Sequence, residues 1–401
     1  MTARLRKKRS LLVSLIVVYS VASFSHLLGT VLTEEEESSS TKYSWNPLDT
    51  APTQQLQKQK QTIYAPRRLP RYKSIVNRTS AEIIGDPQPL LDFAIVGHGK
   101  CGTTSLQQWL STHPEIICPE QEILELSLGK NHETDLLARL YKEFKSSNGS
   151  HNIQKTKLGY KNPGEIRIPR SIRFLDRWFG KTILIVGIRH PISWFESLYN
   201  FKVQNLQEDL PSNQWGDPNL LIGACRDPFV FDCVGTHKGL FHVHLAMLGK
   251  TNQIEHLQKR YRILRNNIVA TKNPVFLFDV DQLNDDNATR SNIFKNDFKK
   301  LLGLSQELGP IPRLSPGKIL SKELQEDRDR HKISICDDKY LPLRAELMEI
   351  AREASDFILN RGFLDHQDVT VSSRPYFEHI LGTRWTKDPC GATKDETSSK
   401  T

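Results

Sequence analysis

LDFAIVGHGKCGTTSLQQWL, residues 91–110, decides how the rest of the chain is read. An apolar run from Leu91 meets a glycine-rich turn between Gly97 and Gly102. Leu106, Trp109 and Leu110 then fall at helical spacing. Strand, glycine turn and helix in that order make a βα unit. Glycines at such a turn let the backbone bend tightly, so that successive N–H groups converge on an anion at the helix N-terminus. Thr103, Thr104 and Ser105 add hydroxyls, and Lys100 puts a positive charge where negative charge would develop on a leaving oxygen. Gly99, Lys100, Cys101, Gly102, Thr103, Thr104 and Ser105 are therefore the candidates for holding a phosphate-type group. An ordinary glycine-rich turn is the plainer alternative, but Lys followed by Gly-Thr-Thr at a strand end favours anion binding.

The flanking sequence supports an α/β domain with a central, mainly parallel sheet between helical layers. TKLGY is a possible second strand. KTILIVGI and NPVFLFDV are apolar enough to be strands buried on both faces of a parallel sheet. PISWFESLYNFKV should be helical after its Pro, DFKKLLGL should start a late helix, and LPLRAELMEIAREASDFILNRGFL reads as a long amphipathic helix. Strands alternating with helices argue for a three-layer fold. No internal repeat is visible.

The 401 residues carry a formal net charge of +9, with 13 Lys/Arg against 7 Asp/Glu in residues 1–90 alone. The folded part is thus close to balanced. A polyanionic substrate is permitted but not demanded, and a nucleic-acid partner is not expected. Arg4, Arg6, Lys7, Lys8 and Arg9 precede a run from Leu11 to Leu32 without charged residues, long enough to cross roughly 30 Å of hydrocarbon. The basic flank predicts a cytosolic residues 1–10, a signal anchor at 11–32 and a lumenal remainder. A cleaved signal peptide, with small residues at Ser23 and Ser25, is the competing expectation. Residues 33–90 read as a polar stem, 91–390 as the catalytic domain and 391–401 as a polar tail. Sequons at Asn77, Asn148 and Asn287 agree with a secretory route. Six cysteines suit an oxidising compartment. Cys225–Cys233 is the first pairing expected and Cys336–Cys390 the second. No Cys/His cluster suggests a metal site.

A nucleoside triphosphatase loop reads GxxxxGK[ST], with Lys directly after the last Gly. Here Lys100 precedes Gly102 by two positions, and only Asp279 and Asp281 offer themselves as acidic metal ligands. The offset suits a loop handling a phosphosulfate without a metal.

The Lys100 to Thr104 pattern resembles the sulfotransferase superfamily, whose 5′-phosphosulfate loop has a Lys just before a Gly-Thr pair. Ile185-Val186-Gly187-Ile188-Arg189-His190-Pro191, followed by Ser197, strengthens the resemblance. In that family an Arg at a strand end and a Ser in the next helix hold the 3′-phosphate of 3′-phosphoadenosine 5′-phosphosulfate (PAPS), an arrangement suited to a forked guanidinium and an added hydroxyl donor. The resemblance covers roughly Leu91 to Leu283. It implies a Golgi, type II membrane enzyme sulfating a glycan, with PAPS as donor and no metal. The glycan-modifying members use a Glu base soon after the first helix. Glu122, in Pro119-Glu120-Gln121-Glu122-Ile123, matches it, with Glu120 and Glu125 as rivals. Leu124, Glu125 and Leu126 depart from the His and aromatics usual there. Lys161, in Gly159-Tyr160-Lys161-Asn162-Pro163, matches the family's second active-site Lys. Lys318, in Ser315-Pro316-Gly317-Lys318, is the only candidate for the basic loop that closes the 3′-phosphate site. The stretch Lys238-Gly239-Leu240-Phe241 through His244-Leu245 resembles the family's segment near the acceptor cleft. His98 could act as a base by proximity. A kinase or nucleotide hydrolase, an inactive glycan-binding relative, and a tyrosine or lipid acceptor are the other readings.

Overall fold

The computed structural model describes residues 69–127, 133–146, 156–205, 217–224, 235–312, 326 and 332–391. The expected anchor at 11–32, the Cys225–Cys233 pairing, the sequon at Asn148, and Lys318 all lie outside the described residues. Among the described residues no helix is long and apolar enough to cross a membrane.

A hairpin, β1 (Val76–Asn77) against β2 (Glu82–Ile83), leads into the sheet. Six strands follow in chain order: β3 (Phe93–Ile95), β4 (Ile116–Ile117), β5 (Lys157–Lys161), β6 (Ile183–Ile188), β7 (Val275–Asp279) and β8 (Val369–Val371). In space they run β4-β5-β3-β6-β7-β8, and every neighbouring pair is parallel. The chain leaves β3, fills one side with β4 and β5, then crosses to build β6, β7 and β8 on the other. Loops that follow β3 and β6 therefore diverge, and the crevice between them is where α/β sheets of this kind place a ligand.

Seven helices matter for the site: α1 (Thr103–Ser111), α2 (Glu133–Ser146), α3 (Pro169–Trp178), α4 (Pro191–Asn205), α5 (Phe241–Ala246), α6 (Ala288–Leu302) and α7 (Leu341–Asn360). Alternate strand residues serve opposite faces. Phe93, Ile95, Ile185, Phe276 and Phe278 pack with Trp109 and Leu110 of α1 and Phe294, Phe298 and Leu302 of α6. Ala94, Val96, Leu184, Val186 and Leu277 pack on the other side with α2, α3, α4, α5 and α7. This is the three-layer arrangement expected from the apolar runs. The Phe276 and Phe298 rings meet edge to face at 4.6 Å, and burying each such ring contributes about 1.5–3 kcal/mol.

Three expectations are corrected. The folded part begins before residue 91, because Ile75, Val76 and Leu90 are buried in the main core. The stem expected up to residue 90 therefore ends earlier. DFKKLLGL ends a helix rather than starting one: Asn287 caps the N-terminus of α6 by accepting from the Arg290 amide at 3.1 Å, and Gly303 closes it in the left-handed region at φ 62°. The strands β4 and β8 were not foreseen. Both are only two or three residues long, too short to show a period. Cys336 and Cys390 form a disulfide, whereas Cys101 and Cys118 are free and buried. The sequons at Asn77 and Asn287 are exposed.

Candidate active site

The turn after β3 is held against β6 by close backbone approach. A Cβ on Gly97 would lie 2.6 Å from the Gly187 nitrogen, and a Cβ on Gly187 would lie 2.4 Å from the Cys101 carbonyl oxygen. Both positions require glycine. Lys100 takes φ 68° and Gly102 φ 75°, so a lysine occupies a conformation that costs energy for any residue with a Cβ. Trp194 Nε1 donates to the Gly99 carbonyl at 3.1 Å and Arg189 Nη1 donates to the Lys100 carbonyl at 3.4 Å. These bonds turn the loop carbonyls toward α4 and the end of β6. Gly102 is the N-cap of α1 and brings no capping side chain. The first-turn amides of that helix have no intrahelical acceptor, and they carry the positive end of its dipole.

That helix end opens on a cavity of about 730 Å³. Gly99, Lys100, Gly102, Thr103, Thr104 and Ser105 line it from the turn, Arg189 and Ser197 from the end of β6 and α4, and Glu122 from the segment after β4. Residues separated by up to about a hundred positions thus converge where the strand order reverses. The Lys100 ammonium stands 4.4 Å from the centre of the Phe201 ring. Burial, and then the Arg189 guanidinium, hold its pKa below the usual lysine value. An anion entering the cavity would relieve that repulsion.

Lys161 does not line the cavity wall, yet it organises it. Only 3% exposed, its ammonium lies 3.0 Å from Thr104 Oγ1 and 3.2 Å from Glu122 Oε1. The carboxylate is tied through one cation to the first turn of α1. Of the three acidic candidates only Glu122 reaches the cavity; Glu120 and Glu125 do not line it. Cys101, counted with the loop from the sequence, turns the other way. Its side chain is fully buried in the core and its thiol pKa is pushed up by burial, so it offers the cavity no side-chain contact.

The cavity has further walls, of which Arg167 alone was named by no motif. His98, Arg167 and Lys238 line it and are 2%, 7% and 3% exposed. Arg167 belongs to the turn after β5, where Gly164 at φ 95° leaves room for the guanidinium: a Cβ there would lie 2.3 Å from Arg167 Nη2. His98 packs edge-on against Phe241, ring centres 4.5 Å apart. Burial, and then the Arg167 charge, keep its pKa well below the usual histidine value, so it stands neutral and is a poor acceptor of a second proton. Beneath this wall Tyr160 Oη donates to Glu165 Oε2 at 2.5 Å. Burial raises the pKa of Glu165 to about 8.

Asp279 and Asp281 are already engaged. Asp279 caps the turn Val280–Leu283 and accepts from Trp385 Nε1 at 3.1 Å, and Asp281 pairs with Arg384 at 3.0 Å. Among the described residues no group of three or more His, Cys, Asp or Glu is placed to hold a metal ion.

No protein-family profile and no curated protein matches the chain. Among solved structures it is similar to the sulfotransferase from Alicyclobacillus acidocaldarius, at 17% identity over 65% of this chain and 95% of that one, with a TM-score of 0.36.

Proposed function

We propose that the chain is a sulfotransferase that moves a sulfuryl group from PAPS to a hydroxyl of a carbohydrate acceptor, in the Golgi lumen and anchored by its N-terminal segment. The observation that carries the reading is the convergence of two distant motifs on one cavity. The Lys100–Ser105 turn and helix N-terminus offer a cradle for the 5′-phosphosulfate. Arg189 and Ser197, across the crevice, suit a second phosphate. Glu122, linked by Lys161 to Thr104, stands beside the place where an acceptor oxygen would meet sulfur. The N-terminal basic and apolar pattern and the exposed sequons support the lumenal setting.

In the transfer the acceptor oxygen forms a bond to sulfur while the bond from sulfur to the 5′-phosphate oxygen breaks. Glu122 takes the hydroxyl proton, and the electron pair leaves with the bridging oxygen on 3′-phosphoadenosine 5′-phosphate. Lys100 and the α1 amides stabilise that oxygen as its charge grows. Thr104 and Lys161 keep the carboxylate oriented toward the same point.

The test is calorimetric titration of the protein with 3′-phosphoadenosine 5′-phosphate, in parallel for wild type and Arg189→Ala. Binding that needs no magnesium and collapses in the variant supports the reading. Absence of binding, with magnesium-dependent ATP binding instead, would overturn it in favour of a kinase or nucleotide hydrolase.

A further inference from the structure

The donor end of the cavity is built from two distant pieces, the turn after β3 and the end of β6, and both lead back to one indole. Trp385 lies beyond α7 and is only 1% exposed. Its ring packs edge-on against His190, the residue after Arg189, with centres 6.0 Å apart. The same ring meets Phe241 of α5, also at 6.0 Å. Phe241 packs edge-on against His98 at 4.5 Å and Trp194 at 5.7 Å, and Trp194 Nε1 holds the Gly99 carbonyl at 3.1 Å. A row of touching rings thus runs from the neighbour of Arg189 to the phosphate loop. Close-packed rings leave little room to shift, so the place of one sets the place of the next.

The indole is itself set by Asp279. Trp385 Nε1 donates to Asp279 Oδ2 at 3.1 Å, and Asp279 Oδ1 accepts from the Asp281 amide at 2.8 Å. The Asp279 backbone is locked as well: the sheet pairs it with Ile188, and its amide donates to the Gln282 side chain at 3.1 Å. Arg189 is therefore flanked on both sides. Ile188 before it is paired with Asp279, and His190 after it rests on the indole that Asp279 holds. Val280, next in the chain, lines the cavity, and its Cγ2 would lie 3.3 Å from a Cβ on Gly102. Asp279 is 1% exposed, and a carboxylate buried that deeply costs free energy unless its hydrogen bonds are made. Losing the indole N–H would be felt at Asp279 and along both routes to the donor end.

We propose that Asp279 and Trp385 are positioning residues that fix the spacing between the phosphate loop and Arg189, and so make the site prefer a nucleotide with phosphates at both its 5′ and 3′ positions over one with a 5′-phosphate alone. This rests on the donor reading above for the identity of the nucleotide. Neither residue lines the cavity, so both act through Arg189 and the loop rather than by touching the ligand.

The experiment is a mutant cycle. Trp385→Phe, Asp279→Asn and Arg189→Ala, and each of the first two combined with Arg189→Ala, are titrated calorimetrically with 3′-phosphoadenosine 5′-phosphate and with adenosine 5′-phosphate. Trp385→Phe keeps a ring and removes the N–H; Asp279→Asn keeps the shape and one acceptor. Each should weaken binding of the bisphosphate about 5- to 10-fold, as expected for a misplaced charge-assisted contact, and leave the monophosphate within about twofold. On the Arg189→Ala background the same changes should cost less than about twofold, because the contact they place is gone. Equal losses for both nucleotides, undiminished in the double variants, would reduce the pair to a structural brace and overturn the proposal. So would single variants that bind like wild type. Melting temperatures identify the folded variants, and Trp385→Phe carries the test where Asp279→Asn fails to fold. A wild type that takes ATP with magnesium and no bisphosphate refutes the sulfotransferase reading, and the cycle is then read on ATP with the same outcomes. A wild type that binds neither refutes both.

Discussion

Replacing Glu165 by Gln should make the protein more stable in alkali, because the wild-type side chain is a buried acid that the fold keeps protonated. Glu165 is fully buried between Tyr160, which donates to it, and the backbone of the turn it begins. Burial raises its pKa from 4.5 to about 8, with the nearby Glu125 charge acting in the same direction. The folded value lies above the unfolded one. Between pH 4.5 and 8 the native state thus holds a proton that the unfolded chain has released, and stability falls as pH rises through that window. Three and a half units at about 1.4 kcal/mol each set a ceiling of about 5 kcal/mol. Local relaxation and water entry reduce what is seen, and a net 2 kcal/mol would move the melting temperature of a domain this size by roughly 3 °C. Gln mimics the neutral acid and still accepts from Tyr160. Melting temperatures of wild type and Glu165→Gln, taken from pH 5 to pH 9, should diverge by several degrees as pH rises, with wild type the less stable at the alkaline end. Activity should decline over the same range in wild type, because the turn containing Glu165 also carries Arg167 and is hydrogen-bonded to the phosphate loop, Gly164 N–H to the Gly97 carbonyl at 2.5 Å. Parallel melting curves would refute the argument that a neutral carboxyl sits there.

Glu122→Gln should lower kcat by at least about 100-fold, the usual scale for losing a general base, while nucleotide affinity stays within about twofold; rapid-quench turnover with isothermal titration separates the two. Arg189→Ala should weaken binding of 3′-phosphoadenosine 5′-phosphate by about 10- to 100-fold, read by calorimetry, as expected for losing a charge-assisted contact. Gly187→Ala places a Cβ 2.4 Å from the Cys101 carbonyl oxygen and 2.7 Å from Phe278 Cζ, so it should destabilise the domain by more than about 2 kcal/mol in urea titration and displace the phosphate loop even where folding survives. Removing the bridge with Cys336→Ser and Cys390→Ser releases a loop spanning 54 residues, worth about 4 kcal/mol by chain entropy, and the thermal midpoint should drop accordingly.

The sheet was largely legible because its central strands are buried on both faces and their sequences have no polar residue to interrupt them. Ile183–Ile188 and Val275–Asp279 fall where KTILIVGI and NPVFLFDV place them. The same holds for the long helix α7, whose Leu343, Leu347, Ile350, Ala354, Phe357 and Ile358 keep one face buried over about four turns. α6 was misplaced because its opening ATRSNI, residues 288–293, is polar or exposed; Phe294, Phe298 and Leu302 give the face only later. The Asn287 cap was the available signal. In the cavity, the loop and its distant partners were legible as contiguous motifs. Cys101 was misassigned because the sequence gives the order of a turn but not the direction of each side chain, and the left-handed conformations on both sides of it, at Lys100 and Gly102, decide that direction. Arg167 escaped for a different reason: it sits in no pattern with its sequence neighbours, and it reaches the cavity only because the turn after β5 ends at the same crevice.

The disulfide between Cys336 and Cys390 has a consequence for biosynthesis. The segment before α7 is fastened to α4 at two places, through Ile333 with Asn200 and through the Ile335 amide with Glu196, and α4 is the helix that carries Ser197. At the other end Trp385 donates to Asp279 and packs edge-on near His190, the neighbour of Arg189. The phosphate loop is made more than two hundred residues before the segments that brace the wall facing it. A nascent chain halted before Trp385 would carry the phosphate loop, Glu122, Arg189 and Ser197 and still lack the brace, so competence arrives with the brace and its oxidation rather than with the loop itself.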